Sequence, residues 1–226
     1  GCTALTEITI PNSVETIGNY AFYKCTSLTG ELVIPSSVKT IGDYAFAEDN
    51  KITSVTIKGN EEGTTIGNYA FQNATGIKSL GLGNVTSIGS YAFNNCTSLT
   101  GKLTIPNSVT KIKNNAFSYC KSITEIDFSE NLDTINYETF SDCTSLKKVT
   151  IPDYVKTIDN RAFSSCTNVT EIELGTGLTQ LGTNYYTNNP FYNMGSVKKI
   201  TFKTEKVPTT PYADLFQYMN NLETVY

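Results

Sequence analysis

A phenylalanine recurs along the whole chain at nearly constant spacing, and this recurrence constrains the fold more than any other feature. Nine phenylalanines, which we call the anchors, follow one another at spacings of 22 to 28 residues: Phe22, Phe46, Phe71, Phe93, Phe117, Phe140, Phe163, Phe191 and Phe216. A fixed period of this length indicates stacked repeat units. Length alone would suggest one or two globular domains. We therefore expect the 226 residues to form one solenoid of about nine repeats over residues 1–226.

Each repeat contains the pattern of a half-buried strand. Leu5, Ile8 and Ile10 stand on one side of an apolar–polar alternation, and Pro11 ends it because proline cannot donate to a strand ladder. After the strand, an isoleucine recurs five residues before each of the first seven anchors and predicts a return path along the core: Ile17, Ile41, Ile66, Ile88, Ile112, Ile135 and Ile158.

The residue after that isoleucine usually tolerates a left-handed backbone. The position holds Gly18, Gly42, Gly67, Gly89, Asn136 or Asp159, with Lys113 as the exception. A helical turn is predicted over residues 19–25, on the convex side. One repeat cannot bury its own apolar face, whereas stacked repeats can. The predicted fold class is therefore α/β: a solenoid with a parallel concave sheet and short helical or irregular convex segments.

The repeat unit resembles the BspA-type leucine-rich repeat over essentially the whole chain. Residues 96–117 carry the resemblance through Cys96, Leu99, Leu103, Ile105, Pro106, Val109, Ile112, Ala116 and Phe117. The resemblance implies an adhesion or host-interaction module of a microbial surface protein, located outside the cell or at its surface. A shared repeat fixes the core and leaves the surface free, so it predicts the fold and not the partner.

Two regions depart from the repeat pattern. Repeats at roughly 49–95 lack the cysteine and the Ile-Pro pair, and they carry a small insertion at 58–63. Repeats after about 175 are longer and aromatic, with Tyr185, Tyr186, Phe191, Tyr192, Tyr212, Phe216 and Tyr218. These aromatic repeats are interpreted either as a cap or as a contact surface. Because the chain opens on the tail of one repeat and closes on the start of another, it is predicted to be a fragment of a longer chain.

All six cysteines occupy one position of the repeat: Cys2, Cys25, Cys96, Cys120, Cys143 and Cys166. A disulfide framework and a row of buried free thiols are the two interpretations. Parallel rungs keep Cβ atoms about 5 Å apart, whereas a disulfide needs about 3.8 Å, so free core thiols are favoured. Sulfur atoms in a line do not converge on a metal. Asp49 occupies the same position, fits neither interpretation, and predicts a local distortion.

Composition excludes several classes of function. The chain has no histidine, which removes Ser-His-Asp and Cys-His catalysis and the commonest ligand of transition metals. A net charge of −4 gives no basic face for nucleic acid. No apolar run approaches the roughly 20 residues of a membrane span. We therefore predict a protein that is not an enzyme, needs no cofactor or metal, and neither binds nucleic acid nor inserts directly into a membrane.

The candidate ligand-binding residues are exposed positions of the concave strands. They are Lys102, Glu125, Asp127, Lys147, Lys148, Glu171, Glu173, Lys198 and Lys199. One row alternates in sign from Lys102 onward, and such cross-strand pairs also keep a sheet face soluble without any ligand. The binding interpretation is a docking surface for a host extracellular or cell-surface protein or glycan. A lysine patch (Lys147, Lys148, Lys198 and Lys199) would then meet an acidic protein or a sulfated glycan.

Two other functions stay open at this point. The chain is alternatively a passive stalk or spacer that displays other domains. A glycoside hydrolase is a remote alternative, since Asp127 and Glu173 lie two strands apart in the expected sheet. That separation of about 10 Å is at or beyond the roughly 6.5–9.5 Å that inverting glycosidases use.

Overall fold

The computed structural model describes residues 1–182, 189–203, 208–210, 215–216 and 218–226. Tyr185, Tyr186 and Tyr212 of the aromatic repeats lie outside these described residues. Seventeen short strands form in the described part of the chain: β1 Thr16–Ile17, β2 Thr29–Ile34, β3 Thr40–Ile41, β4 Lys51–Ile57, β5 Thr64–Ile66, β6 Ser79–Gly81, β7 Val85–Ile88, β8 Gly101–Thr104, β9 Lys111–Ile112, β10 Ile123–Asp127, β11 Thr134–Ile135, β12 Lys148–Ile151, β13 Thr157–Ile158, β14 Glu171–Leu174, β15 Gln180–Leu181, β16 Lys199–Phe202 and β17 Thr224–Val225.

The strands build two parallel walls, and each turn of the solenoid adds one strand to each wall. The front wall, predicted as the concave sheet, has three sections: β2-β4-β6, β8-β10 and β12-β14-β16-β17. The rear wall has two sections, β1-β3-β5-β7-β9 and β11-β13-β15, and it is the return path of the isoleucines. A second wall of strands was not predicted. We call one turn of the solenoid a coil and name it by its anchor phenylalanine.

The anchor phenylalanines form one stacked column through the core. Seven anchors, from Phe46 to Phe191, are at most 1% exposed. Ring centroids of neighbouring coils lie 5.1 Å apart between Phe71 and Phe93 and 5.7 Å apart between Phe117 and Phe140. The rings at the two ends of the column are more exposed to solvent: Phe22 is half-buried and Phe216 is 36% exposed. The predicted core column is confirmed.

The convex turns contain no helix, and here the sequence prediction was wrong. Among the described residues no helix forms. In the predicted helical turn, Tyr20 has φ 57° and Lys24 has φ 58°, both in the left-handed region. A right-handed helix cannot include such residues. The backbone N–H of Phe22 instead donates to the carbonyl of Ala45 in the next coil at 2.8 Å. The convex side is therefore a third ladder between coils, and the fold is a parallel-strand β-solenoid of the leucine-rich-repeat type.

At Gly42, Gly67 and Gly89 the glycine row serves close approach between coils and not a left-handed backbone. Gly18, Gly42, Gly67 and Gly89, and likewise Asn136 and Asp159, are not among the residues with positive φ; the left-handed residues stand two before and two after most anchors. A Cβ atom on Gly42 would lie 2.5 Å from Asn19 Oδ1, and one on Gly89 would lie 2.4 Å from the Gly67 carbonyl carbon. The prediction of left-handed backbone at this row was therefore wrong.

Candidate functional site

The exposed charges of the front wall form ion pairs across neighbouring strands. Residues of β8 and β10 pair in register, so that Lys102 lies opposite Glu125. The Nζ atom of Lys102 lies 3.2 Å from Glu125 and 3.3 Å from Asp127. Both carboxylates raise the pKa of Lys102, with the hydrogen bond to Glu125 as the largest cause. All three side chains are solvent-exposed, so solvent screens these pairs.

A second cluster of charges spans β12, β14 and the end of β16. Lys148 Nζ lies 2.7 Å from Glu173 and 3.6 Å from Glu171, and Lys203 Nζ lies 3.8 Å from Glu173. The hydrogen bond that Lys148 donates lowers the pKa of Glu173 below its usual range. The side chains of this cluster therefore hold one another in a fixed arrangement across three strands.

The four residues of the lysine patch differ in what surrounds them. Lys148 holds its two carboxylates, Lys198 lies 3.7 Å from Glu223, and Lys199 lies 5.6 Å above the ring of Tyr226. Lys147 has no ion pair within the described ranges. The patch is consequently a mixed surface in which Lys148 and Lys198 are paired with carboxylates, whereas Lys147 and Lys199 have no ion pair among the described residues.

The carboxylates of the front wall do not have the chemistry of a hydrolase. A general acid at neutral pH needs a raised pKa. The pKa of Glu173 is lowered, and Asp127 is exposed and paired with Lys102. The remote hydrolase interpretation therefore has no support from the environment of these two residues.

The cysteines form a row of free thiols, as predicted, and the disulfide interpretation was wrong. Cys25, Cys96, Cys120, Cys143 and Cys166 are buried and unbridged, whereas Cys2 is exposed at the open end. The thiol of Cys120 donates to the carbonyl oxygen of Phe93, the anchor of the preceding coil, at 3.2 Å. The thiols of Cys96, Cys143 and Cys166 donate in the same way to the anchor carbonyl of the coil before their own. Burial raises the pKa of Cys120 and of Cys166 to about 12. Such thiols are inert core residues.

Asp49 replaces a cysteine in this row and is fully buried. Neither carboxyl oxygen has a hydrogen-bond partner. Burial raises its pKa from the ordinary 3.8 to about 7, against a smaller lowering by the backbone N–H of Cys25. The backbone continues regularly past Asp49, since Glu48 N–H donates to Gln72 at 2.8 Å. The predicted distortion of the backbone is absent here, and the anomaly is electrostatic.

A cleft between β10 and β12 was not predicted. These strands end two separate sections of the front wall, and they enclose a cavity of about 360 Å³. The cavity is lined by Ile126, Phe128, Val149 and Phe163, with Glu125, Lys147 and Lys148 at its rim. Phe128-Ser129 stands where four other repeats have Ile-Pro, but the pair was no specific signal, because several repeats depart from Ile-Pro and Phe202 holds the same position in β16.

A stack of tyrosines on the convex side was also missed. Tyr20, Tyr44, Tyr69 and Tyr91 stand two residues before their anchors, with ring centroids 4.6–4.9 Å apart and nearly parallel planes. The stack ends where Asn115 takes that position. The signal in the sequence was tyrosine at one repeat position in four consecutive coils.

Neither a metal-binding cluster nor a membrane-spanning helix occurs among the described residues. They contain no cluster of three or more cysteine, aspartate or glutamate side chains that would hold a metal ion. They likewise include no helix with the length and apolar character to cross a membrane.

Comparison with known proteins places the fold among bacterial repeat proteins. The sequence model of the BspA type leucine-rich repeat region matches residues 1–101 and 86–223 in six copies. No curated protein matches the chain in sequence. The solved structure of a leucine-rich repeat protein from Bacteroides ovatus is 25% identical with a TM-score of 0.72. That match covers 100% of this chain and 61% of the other, so this chain spans about three-fifths of that protein's length.

Two other solved structures share the fold at lower identity. A leucine-rich repeat protein from T. pallidum is 23% identical with a TM-score of 0.61, over 92% of this chain and 82% of that one. A leucine-rich cell surface protein from Faecalibacterium prausnitzii is 19% identical with a TM-score of 0.52, over 91% and 75%. At these identities the likeness concerns the fold alone.

Proposed function

We propose that this chain, which belongs to the BspA type leucine-rich repeat family, is a non-catalytic protein- or glycan-binding module at the surface of a microbial cell. The observation that carries the proposal is the front wall, where charged side chains from four strands, together with Lys203 just after β16, stand in ordered ion pairs. Solenoids bind partners through such extended faces. A surface location agrees with the F. prausnitzii relative, which is described as a cell surface protein.

The chemistry of this face favours a partner that itself carries both charges or many hydroxyl groups. The two charge clusters expose ammonium and carboxylate groups side by side. A polar face of this kind recognises a partner through complementary hydrogen bonds and contributes more to specificity than to raw affinity. The partner class that we propose is a host extracellular protein or a glycan.

The test is a binding panel of purified host matrix proteins and glycans, with the full chain immobilised. A front-wall variant changes Lys147, Lys148, Lys198 and Lys199 to glutamate. A matched control changes Lys39, Lys111, Lys113 and Lys156, which lie on or beside the rear wall, to glutamate. Both variants carry the same net charge, so only the position of the charge differs.

Saturable binding that the front-wall variant loses and the control variant keeps would support the proposal and locate the face. Equal loss in both variants would attribute binding to net charge. No binding by the unchanged chain, with a thermal melt that shows an intact fold, would overturn the proposal.

A passive stalk is the second candidate function, and one observation favours it. The lysines and carboxylates of the front wall neutralise one another within the chain, so the face is satisfied without a ligand. The negative outcome of the panel is the result that this function expects.

A further inference from the structure

The front wall is interrupted between β10 and β12, and we call this interruption the seam. In the described part of the chain, no backbone hydrogen bond joins the two strands. The coils are tied just before the strands by Ser145 N–H, which donates to Lys121 at 3.1 Å. They are tied just after the strands by the Tyr154 hydroxyl, which donates to the carbonyl of Phe128 at 2.7 Å. The seam is therefore a slot that is closed at both ends.

A second aromatic ring lines the seam on the side of the Phe140 coil. Phe128 stands where the neighbouring coils have Ile105 and Ile151, and its ring packs edge-on against Phe140 with centroids 5.7 Å apart. The Phe140 and Phe163 centroids lie 5.6 Å apart, a spacing that does not by itself separate strands, because β12 and β14 pair where Phe163 and Phe191 lie 6.1 Å apart. Phe202 stands at the same repeat position in β16, which pairs with both of its neighbours, so the ring of Phe128 forms part of the floor of the seam and does not account for its opening.

The slot has the dimensions of a short extended peptide. Its walls are the two strands between the ties, with five residues on β10 and four on β12, which corresponds to roughly 13–16 Å at the rise of a β-strand. Its volume of about 360 Å³ is at the small end of ligand pockets. Both walls are strand edges whose backbone groups are unpaired with each other, and such edges add an extended peptide as a further strand.

The floor and the rim of the slot determine which peptide fits. The floor is apolar, with Phe128 and Val149 almost fully buried and Ile126 half-buried. At the rim, Glu125 is held by Lys102, and Lys148 is held by Glu171 and Glu173. Within the described ranges the remaining rim charge is the ammonium group of Lys147.

We propose that the seam binds an extended segment of a partner protein through a bulky apolar side chain that is followed by an acidic residue. The apolar side chain enters the slot, the carboxylate meets Lys147, and the peptide backbone pairs with an edge of β10 or β12. The proposal rests on the proposed binding function and names its site and its partner chemistry.

The chain contains no tryptophan, so a peptide that carries one reports binding through its own fluorescence. The probe is a seven-residue peptide, capped at both ends, with threonines around a central tryptophan–aspartate pair. One control peptide replaces the aspartate by lysine, and another replaces the tryptophan by serine and carries a fluorophore at its end. The full chain is titrated into each peptide.

Two protein variants locate the site. Thr124→Arg places a large side chain over the slot at an exposed lining position, and Val33→Arg makes the same addition at an exposed front-wall position outside it. Lys147→Ala removes the rim charge. We expect a blue shift of the tryptophan emission that saturates, and we expect Thr124→Arg but not Val33→Arg to abolish it. Lys147→Ala should weaken binding about two- to fivefold, as for one exposed ion pair.

The inference would be overturned by the absence of a saturable shift, by binding that survives Thr124→Arg, or by equal binding of the lysine peptide. The peptide titration uses no host protein, and the variant that decides it, Thr124→Arg, is not a patch lysine, so its failure is distinguishable from a failure of the host panel although Lys147 and Lys148 belong to both surfaces. A chain that binds a host protein but no peptide would retain the proposed function and lose the seam as its site.

Discussion

The Phe46 coil and the Phe117 coil share a backbone and an anchor but differ in the residue three positions later. Phe46 and Phe117 are both fully buried. In the Phe117 coil, the thiol of Cys120 donates to the carbonyl of Phe93. In the Phe46 coil, the corresponding residue is Asp49, whose two oxygens have no partner. Ala74, Met194 and Met219 occupy the same buried position without a hydrogen-bond donor, so the row requires an uncharged side chain, and a carboxyl group meets that requirement when it is protonated.

The two coils also differ on their surfaces. Tyr44 of the Phe46 coil stacks between two other tyrosines, whereas Asn115 of the Phe117 coil donates to Glu138 at 2.7 Å. On the front wall, β8 of the Phe117 coil carries Lys102 with its two carboxylates, whereas Glu31 on β2 accepts a hydrogen bond from Thr56. The inter-coil backbone ladders tolerate these exchanges because they use no side chains.

The largest expected effect concerns the position that the coils share. Phe46→Ala and Phe117→Ala should each lower the free energy of unfolding by about 3–5 kcal/mol, because each removes a fully buried ring and leaves a cavity. Urea unfolding of both variants measures the effect. A loss in one coil but not in the other would show that the coils are not equivalent at their anchor. Phe22→Ala, in the open coil, should cost less than either.

The second effect is a dependence of the free energy of unfolding on pH, which we expect from the Phe46 coil and not from the Phe117 coil. The unfolded chain releases the proton of Asp49 near its ordinary pKa of 3.8, whereas the folded chain holds it up to about 7. The stability that this proton gives is fully present below pH 3.8 and is lost as pH rises through 7. At 1.36 kcal/mol per pKa unit, the total loss is about 4 kcal/mol. About two of these pKa units lie above pH 5, so urea unfolding between pH 5 and pH 8 should show about 3 kcal/mol of the loss, as the difference between the unchanged chain and Asp49→Cys.

Two variants control this comparison. Asp49→Asn keeps the shape without the titration and should show the same flat profile as Asp49→Cys. Cys120→Asp transfers the carboxyl group to the Phe117 coil and should add a second pH-dependent loss there. If Asp49→Cys retained the full pH dependence, the dependence would belong to other groups of the chain.

A smaller effect is expected on the convex side. Tyr44→Ala removes two stacked ring contacts, with centroids at 4.8 and 4.6 Å. Each aromatic pair contributes about 0.5–1.5 kcal/mol, so the loss should be about 1–3 kcal/mol. Thermal unfolding monitored by circular dichroism measures it. Tyr44→Phe keeps both contacts and should leave the unfolding temperature nearly unchanged; a fall as large as that of Tyr44→Ala would assign the effect to the hydroxyl group.

The smallest effect is expected at the front wall of the Phe117 coil. Lys102 is exposed, and its ion pairs with Glu125 and Asp127 are screened by solvent. Lys102→Ala should therefore lower the unfolding temperature least among these variants, and the difference should vanish in about 1 M sodium chloride, where the Debye length is about 3 Å. A difference that persists in high salt would point to packing of the lysine stem.

The sequence predicts features that recur and misses features that occur once. The anchor column, the front strands and the thiol row follow from residues that return at one position in many coils. The convex helix was wrong because Tyr20 and Lys24 adopt left-handed backbone in a ladder between coils, and neither residue type signals that conformation. The seam has no counterpart in the repeat pattern: Phe128 lines it, but Phe202 stands at the same position of β16 without an interruption. Asp49 was visible as an anomaly, but only its burial shows that the anomaly is one of protonation.

The interruptions of the two walls fall at different coil boundaries. The front wall is interrupted between β6 and β8 and again between β10 and β12, whereas the rear wall is interrupted between β9 and β11. At the rear interruption, the Asn136 side chain donates to Ile112 at 2.5 Å in place of the strand ladder. The convex ladder crosses all three boundaries, as at Phe93, Phe117 and Phe140. At each of these boundaries the opposite wall and the convex ladder therefore remain hydrogen-bonded. Two ladders cross every interrupted boundary, so tension along the solenoid axis is carried there by backbone hydrogen bonds on two sides.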